Sequence, residues 1–218
     1  FLASGGNQQW VLVGGLSEND MYGGTGDDTL IGGFGTDNYM EGNEGDDTLI
    51  GGMNATNEMY GGQGNDSLTG GMNAENYMYG EEGEDFLLGG SGNPDSNWMY
   101  GGNDADILIG GAFTDNHMYG NGGDDLLTGG YMADNEMYGD EGSDVLIGGL
   151  SSTNDMFGGE GEDTLIGGAD STNSMYGEAE NDLLIGSLGD DLMDGGTGTD
   201  VMLGSAGDDV MLGDSGLN

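Results

Sequence analysis

Apolar side chains recur in this chain at intervals too long for an amphipathic helix. Short runs of the form x-Leu-x alternate with runs of the form Asn-x-Met-Tyr, and Gly-rich stretches separate them. Cutting at the Gly pairs places coil starts at Gly5, Gly23, Gly42, Gly61, Gly80, Gly101, Gly120, Gly139, Gly158, Gly177, Gly195 and Gly213. The common spacing is 19. It is 18 for the first coil and the last two, and 21 for the coil from Gly80, where Pro94 and Trp98 sit in a longer loop. Self-similarity at a fixed period is the mark of a solenoid.

Each coil divides into a nine-residue half, G-G-x-G-x-D-x-L-x, and a ten-residue half ending N-x-M-Y. Each half reads as a turn followed by a three-residue strand whose middle side chain points one way and whose neighbours point the other. One set of middle positions runs from Leu12 and Leu30 to Leu184 and Met202, and the other from Met21 and Met40 to Met193 and Met211. The expectation is an all-β parallel solenoid of about eleven coils of 18–21 residues, with two short-strand sheets and a thin core of Leu facing Met. At about 4.8 Å per rung the rod would be roughly 53 Å long.

Composition changes the picture. The 218 residues include 52 Gly and 42 Asp or Glu but no Lys, Arg or Cys, for a formal charge of −42. Such a balance ordinarily marks a disordered polyanion. It argues against nucleic acid and anionic membrane as partners, because no side chain can neutralise a phosphate. No apolar run is long enough to insert into a membrane, and the absence of Cys removes disulfide chemistry. Small cations are the natural ligand, since a column of carboxylates one strand spacing apart would otherwise repel itself.

The tandem G-G-x-G-x-D-x-L-x halves resemble the RTX (repeat-in-toxin) nonapeptide. That resemblance implies a right-handed parallel β-roll with Ca2+ between successive turns, held by main-chain carbonyls and the Asp carboxylate. The Asp positions that match are Asp28, Asp47, Asp66, Asp85, Asp106, Asp125, Asp144, Asp163, Asp182 and Asp200. Ten aligned carboxylates define nine gaps, hence about nine ions. The hard-ion preference for six to eight oxygens fits such turns.

Three places depart from the pattern. Residues 1–22 carry Gln8, Gln9 and Trp10 where later coils have Gly and Asp, and read as a cap without a calcium motif. Asp104 replaces a turn Gly, and Ala179-Glu180 break another turn, so sites there would be weaker. Residues 23–185 form the 19-residue coils. From 186 to 218 nonapeptides occupy both halves, so Asp191 and Asp209 would add a Ca2+ site on the second edge, for nine or ten ions in all. Before that switch the second edge carries Asn19, Asn38, Asn57, Asn76, Asn97, Asn116, Asn135, Asn154 and Asn173, which would stack as a neutral amide ladder.

The residues flanking the Leu column, such as Val11/Val13, Thr48/Ile50 and Ile107/Ile109, are uncharged and should face outward. Two such columns suggest a protein contact, and self-association through this Thr/Ile face or end to end is expected. Over the Met column, Tyr22, Tyr60 and Tyr79 to Tyr176 form an aromatic column broken by Glu41, a candidate for cross-strand stacking or a glycan platform. His117 occupies a surface slot beside it.

The leading reading is a non-catalytic, Ca2+-dependent rod of a secreted or cell-surface protein, from a filament or adhesin. An ice-binding solenoid is the alternative, because 19-residue coils with one Ca2+ edge are similar to ice-adhesins, although the turn positions here lack a regular Thr array. A further alternative is the repeat region of a secreted hydrolase or toxin. No nucleophile-base or zinc-type cluster is present. The last repeat is cut at GDSGLN, so the coils are expected to continue in a longer chain or to stack on another copy.

Overall fold

The computed structural model describes residues 2–4, 8–92 and 96–213. Among these there is no helix. The strands form two parallel sheets, one of twelve strands and one of eleven, and the chain alternates between them at every turn. This is the expected all-β solenoid. The proposed coil start at Gly5, the loop at Pro94 and the final residues from Asp214 lie outside the described residues.

Register follows the repeat. Leu30 pairs with Leu49 and Leu49 with Leu68 in one sheet, while Met21 pairs with Met40 and Met40 with Met59 in the other. The 21-residue coil keeps register too, with Leu87 opposite Leu108 and Met99 opposite Met118. Identical side chains therefore stack on themselves. Every Leu from Leu30 to Leu184 and every Met from Met21 to Met193 in these columns is fully buried. The columns fray where a coil has only one neighbour: Leu12 and Met202 are partly buried and Met211 is exposed.

The two sheets differ in one respect that the repeat pattern hid. Strands of the Leu sheet have three residues, as in Thr29–Ile31 and Leu126–Thr128. Those of the Met sheet, after a first of three at Leu2–Ser4, run for seven or eight between Asn19 and Ala179, as in Asn19–Thr25 and Asp134–Glu141. They continue past the Tyr because the residue after the first turn Gly bends the chain with a positive φ while its neighbours stay paired. That residue is Asn43 (84°), Glu81 (82°), Asn121 (76°), Asp140 (74°) or Glu178 (76°), a conformation unfavourable for L-residues. After Gly186 this extension ends, and Leu192–Asp194 and Val210–Leu212 have three residues each.

Each coil thus has two sheet faces and two turn edges. One edge carries the Asp column, the other the Asn column, and both columns are almost completely buried.

Candidate metal edge and its neutral counterpart

Each Asp follows the Gly-rich turn and precedes a Leu strand, so its side chain folds back into the turn rather than out to water. One carboxylate oxygen is committed to the backbone. Asp47 Oδ1 accepts the Asp28 N–H at 2.6 Å, Asp125 Oδ1 accepts the Asp106 N–H at 2.7 Å, and Asp200 Oδ1 accepts the Asp182 N–H at 3.2 Å. At the first coil the Trp10 N–H donates to Asp28 Oδ1 at 2.6 Å, so that coil supplies a donor but no carboxylate. All ten predicted Asp residues of this edge are in one column, including Asp106 and Asp182 beside the irregular turns.

The other oxygen has no partner. Oδ2 of Asp28, Asp47, Asp66, Asp85, Asp106, Asp125, Asp144, Asp163, Asp182 and Asp200 is buried without a hydrogen bond, and so is that of Asp191. Its surroundings make this costly. A Cβ placed on Gly120 would meet both Asp125 Oδ2 and the Gly139 carbonyl oxygen, the latter at 2.7 Å. The same holds at Gly158, where the space is shared by Asp163 Oδ2 and the Gly177 oxygen. Two acceptors face one small space with no donor between them, and a buried unpaired charge of this kind demands a cation or a proton.

The carboxyls register that demand. Burial, opposed in part by the N–H of the preceding rung and reinforced by nearby carboxylates of the column and of the adjoining turns, pushes Asp47, Asp85, Asp125, Asp144 and Asp163 up to about 6. Asp66 and Asp182 rise to about 7 and Asp106 to about 8. Asp191 is raised as well, again by burial first. Among the described residues no three acidic or His side chains cluster as a metal cage. A Ca2+ ion here must therefore take most of its oxygens from main-chain carbonyls, which the coil spacing brings to the Oδ2 row.

The opposite edge solves the same problem with amides. Asn19 Nδ2 donates to Asn38 Oδ1 at 2.8 Å, Asn97 to Asn116 at 2.9 Å, and Asn154 to Asn173 at 2.8 Å. Each Oδ1 also accepts a turn N–H of its own coil, such as Gly111 N–H to Asn116 at 2.8 Å. Each Nδ2 also reaches a Gly carbonyl, as from Asn116 to Gly111 at 2.9 Å. The ladder ends where the sequence switches, with Asn173 Nδ2 donating to Asp191 Oδ1 at 2.7 Å. Asp191 N–H in turn donates to Asp209 Oδ1 at 3.2 Å, so these two residues do stand on the second edge. Replacing Asn116 by Ala would strand buried groups on Asn97, Asn135 and Gly111. We expect it to cost about 3 kcal/mol or more, read from the melting of the Ca2+-loaded rod.

The aromatic column is continuous. Tyr60, Tyr79, Tyr100, Tyr119, Tyr138, Phe157 and Tyr176 stack with centroids 4.7–5.0 Å apart. At the Glu41 gap, Tyr39 from the adjacent column leans in, 5.7 Å from Tyr22 and 5.6 Å from Tyr60, and its hydroxyl donates to Glu41 at 3.1 Å. Burial and Glu41 hold that phenol up at about 12. Counting single columns missed this; the pair Tyr39 and Glu41, two residues apart on one face, was the available signal. His117 stacks on Trp98 at 3.9 Å, and its Nδ1 lies 2.8 Å from Glu136 Oε2. The ring faces are turned to one another, so the column presents edges and hydroxyls outward.

A parallel solenoid whose turns bury one row of carboxylates beside rows of carbonyls defines a calcium-binding repeat roll. The family model of the RTX calcium-binding nonapeptide repeat (4 copies) matches residues 11–130 and 133–218 in overlapping segments, and the chain belongs to this family. No curated protein shows significant similarity to it. RTX repeats bind Ca2+, and a roll built of them is a structural, typically non-catalytic fold.

Proposed function

We propose that the chain is a calcium-stiffened rod, a structural segment of a secreted or cell-surface protein that serves an extracellular filament or adhesin. The observation that carries this reading is the row of buried, partnerless Oδ2 atoms facing main-chain oxygens. Asp28, Asp47, Asp66, Asp85, Asp106, Asp125, Asp144, Asp163, Asp182 and Asp200 would hold ions in the nine gaps between them. Asp191 and Asp209 would hold one more on the second edge, for nine or ten in all. Bound there, Ca2+ supplies the positive charge that lets adjacent carboxylates stack. The Asp Oδ1 atoms keep the rungs aligned through the N–H of the preceding coil, and the Gly residues leave the space in which oxygens converge. Residues 1–22 act as the cap and residues 186–218 as the section with carboxylates on both edges.

Extracellular calcium modules bind at about 10⁻⁴ to 10⁻³ M, so such a rod would fold where Ca2+ is abundant. The test is bound Ca2+ per chain, measured by equilibrium dialysis, for the parent and for Asp125→Asn. The expected result is nine or ten ions for the parent and a loss of one or two in the variant, because Asp125 borders two gaps. A parent that binds two ions or fewer, or a variant that binds the full number, would overturn the assignment.

A further inference from the structure

The charge of this chain is confined to part of its surface. Consider in each coil the seven residues that begin just after the column Asp: Thr29–Gly35, Thr48–Asn54, and so on to Val201–Gly207, with Val11–Ser17 in the first coil. Across these eleven segments the only charged residue is Asp170. They build the outer face of the Leu sheet and the first half of the turn on the Asn edge. Among the described residues, the other acidic side chains lie on the Asp edge, over the Met sheet and at the lip of the Asn-edge turn.

This uncharged side, which mixes Thr and Ser with aliphatic residues, also exposes large apolar side chains. On the sheet face Val13, Ile50, Phe86 and Ile107 are exposed. Around the corner, the third or fourth residue of the turn projects large apolar side chains into solvent. These include Leu16 (89% exposed), Phe34 (56%), Met72 (54%), Phe113 (50%) and Leu150 (56%). Only two residues, Gly32 and Gly33, separate Ile31 on the face from Phe34 on the crest. Face and crest are therefore one surface with nothing standing between them. Monomeric soluble proteins rarely leave so long an apolar strip uncovered.

We propose that this side is the contact between two copies of the chain, packed sheet face to sheet face. Charge selects the occupant. With its acidic residues on every other side, the chain repels anionic surfaces, and a cationic partner would be drawn to the acidic edge rather than here. A second copy offers a strip with the same lack of charge, the same length and the same rung spacing, as a self-complementary two-fold contact requires. The area is sufficient. Eleven rungs at about 4.8 Å and three strand residues of width at about 3.3 Å each give about 500 Å² per copy for the face alone, or about 1,000 Å² in total, the size that a specific interface must clear before the crest adds to it. The contact depends on the folded coils and not on which ion holds their turns.

Sedimentation equilibrium of the full chain in Ca2+ tests this, with circular dichroism on the same samples to report folding separately. The expected mass is twice 22.3 kDa. The pair Ile107→Glu and Val145→Glu, both outward on the Leu face, should weaken association at least a hundredfold while the strand signal stays intact, since like charges facing across an interface cost several kcal/mol. Ser174→Glu, on the outer face of the Met sheet, should leave the dimer unchanged. A folded parent that remains monomeric at 100 µM would overturn the proposal. So would a dimer that survives the two glutamates, or a monomer that instead floats with phosphatidylcholine vesicles.

Discussion

Removing Ca2+ with a chelator at pH 7.5 and low ionic strength is expected to abolish the strand circular dichroism of the whole chain, and adding Ca2+ back is expected to restore it. The core is one Leu or Met deep on each side, so it has little apolar area with which to offset the stacking of buried carboxylates. Acid should partly replace the metal. The carboxyls of Asp47, Asp66, Asp85, Asp106, Asp125, Asp144, Asp163 and Asp182 lie at about 6 to 8 in the folded chain, against about 3.9 when unfolded. A folded-state value above the unfolded one means that the fold takes up protons. The contribution of these groups to metal-free stability is therefore full below about pH 4 and lost as pH rises through 6 to 8. Metal-free chain at pH 5.5 should regain part of its strand signal, which vanishes again on return to pH 7.5. Protons and Ca2+ then compete: binding near pH 6.5 should release protons, and the Ca2+ midpoint should move to higher concentration as pH falls. Strand content that is unchanged by chelator at pH 7.5 would refute this account.

Replacing Gly149 by Ala should be among the most damaging single changes. The added Cβ would run into the Gly130 carbonyl of the coil below and lie 2.8 Å from Asn135 Nδ2. Both neighbours are fixed, one as backbone and the other in the amide ladder, so the rungs must separate. A loss of about 3 kcal/mol or more is expected, in the tail of single-substitution effects. Because each coil touches only its neighbours, the break should also uncouple the halves and split the Ca2+-loaded melt into two steps. Gly122→Ala is the control: its Cβ would find nothing nearer than 3.9 Å, and a change within about 0.5 kcal/mol is expected. Equal melting of the two variants would show that close rung contact is not what limits this fold.

Much of this architecture was legible because one rule repeats. The period placed Leu30 over Leu49 and Met21 over Met40, and a single-residue error would have exchanged inside and outside along every strand. The Asn column was equally readable, since an amide carries both the donor and the acceptor that its stacked copy needs. What the letters did not show is geometry within the side chain. Nothing in the repeat says that Asp125 would spend one oxygen on Asp106 N–H and leave the other bare. Nor did the column of Tyr with one Glu41 reveal that Tyr39 would lean across the gap. The crest of Leu16, Phe34 and Leu150 was present in the sequence but sat in turns, where apolar residues draw no periodicity argument.

The amide ladder also has a direction. Every Asn donates a hydrogen bond to the coil that follows it, never to the one before, and the last is accepted by Asp191, whose carboxylate has no N–H to donate onward. Another Asn coil could be spliced in anywhere between Asn19 and Asn173 with all donors and acceptors still matched, whereas an Asp in mid-run would leave the next Asn without a giver. The first Asp on that edge thus terminates the ladder, and the number of Asn before it counts the coils whose second edge is closed by amides.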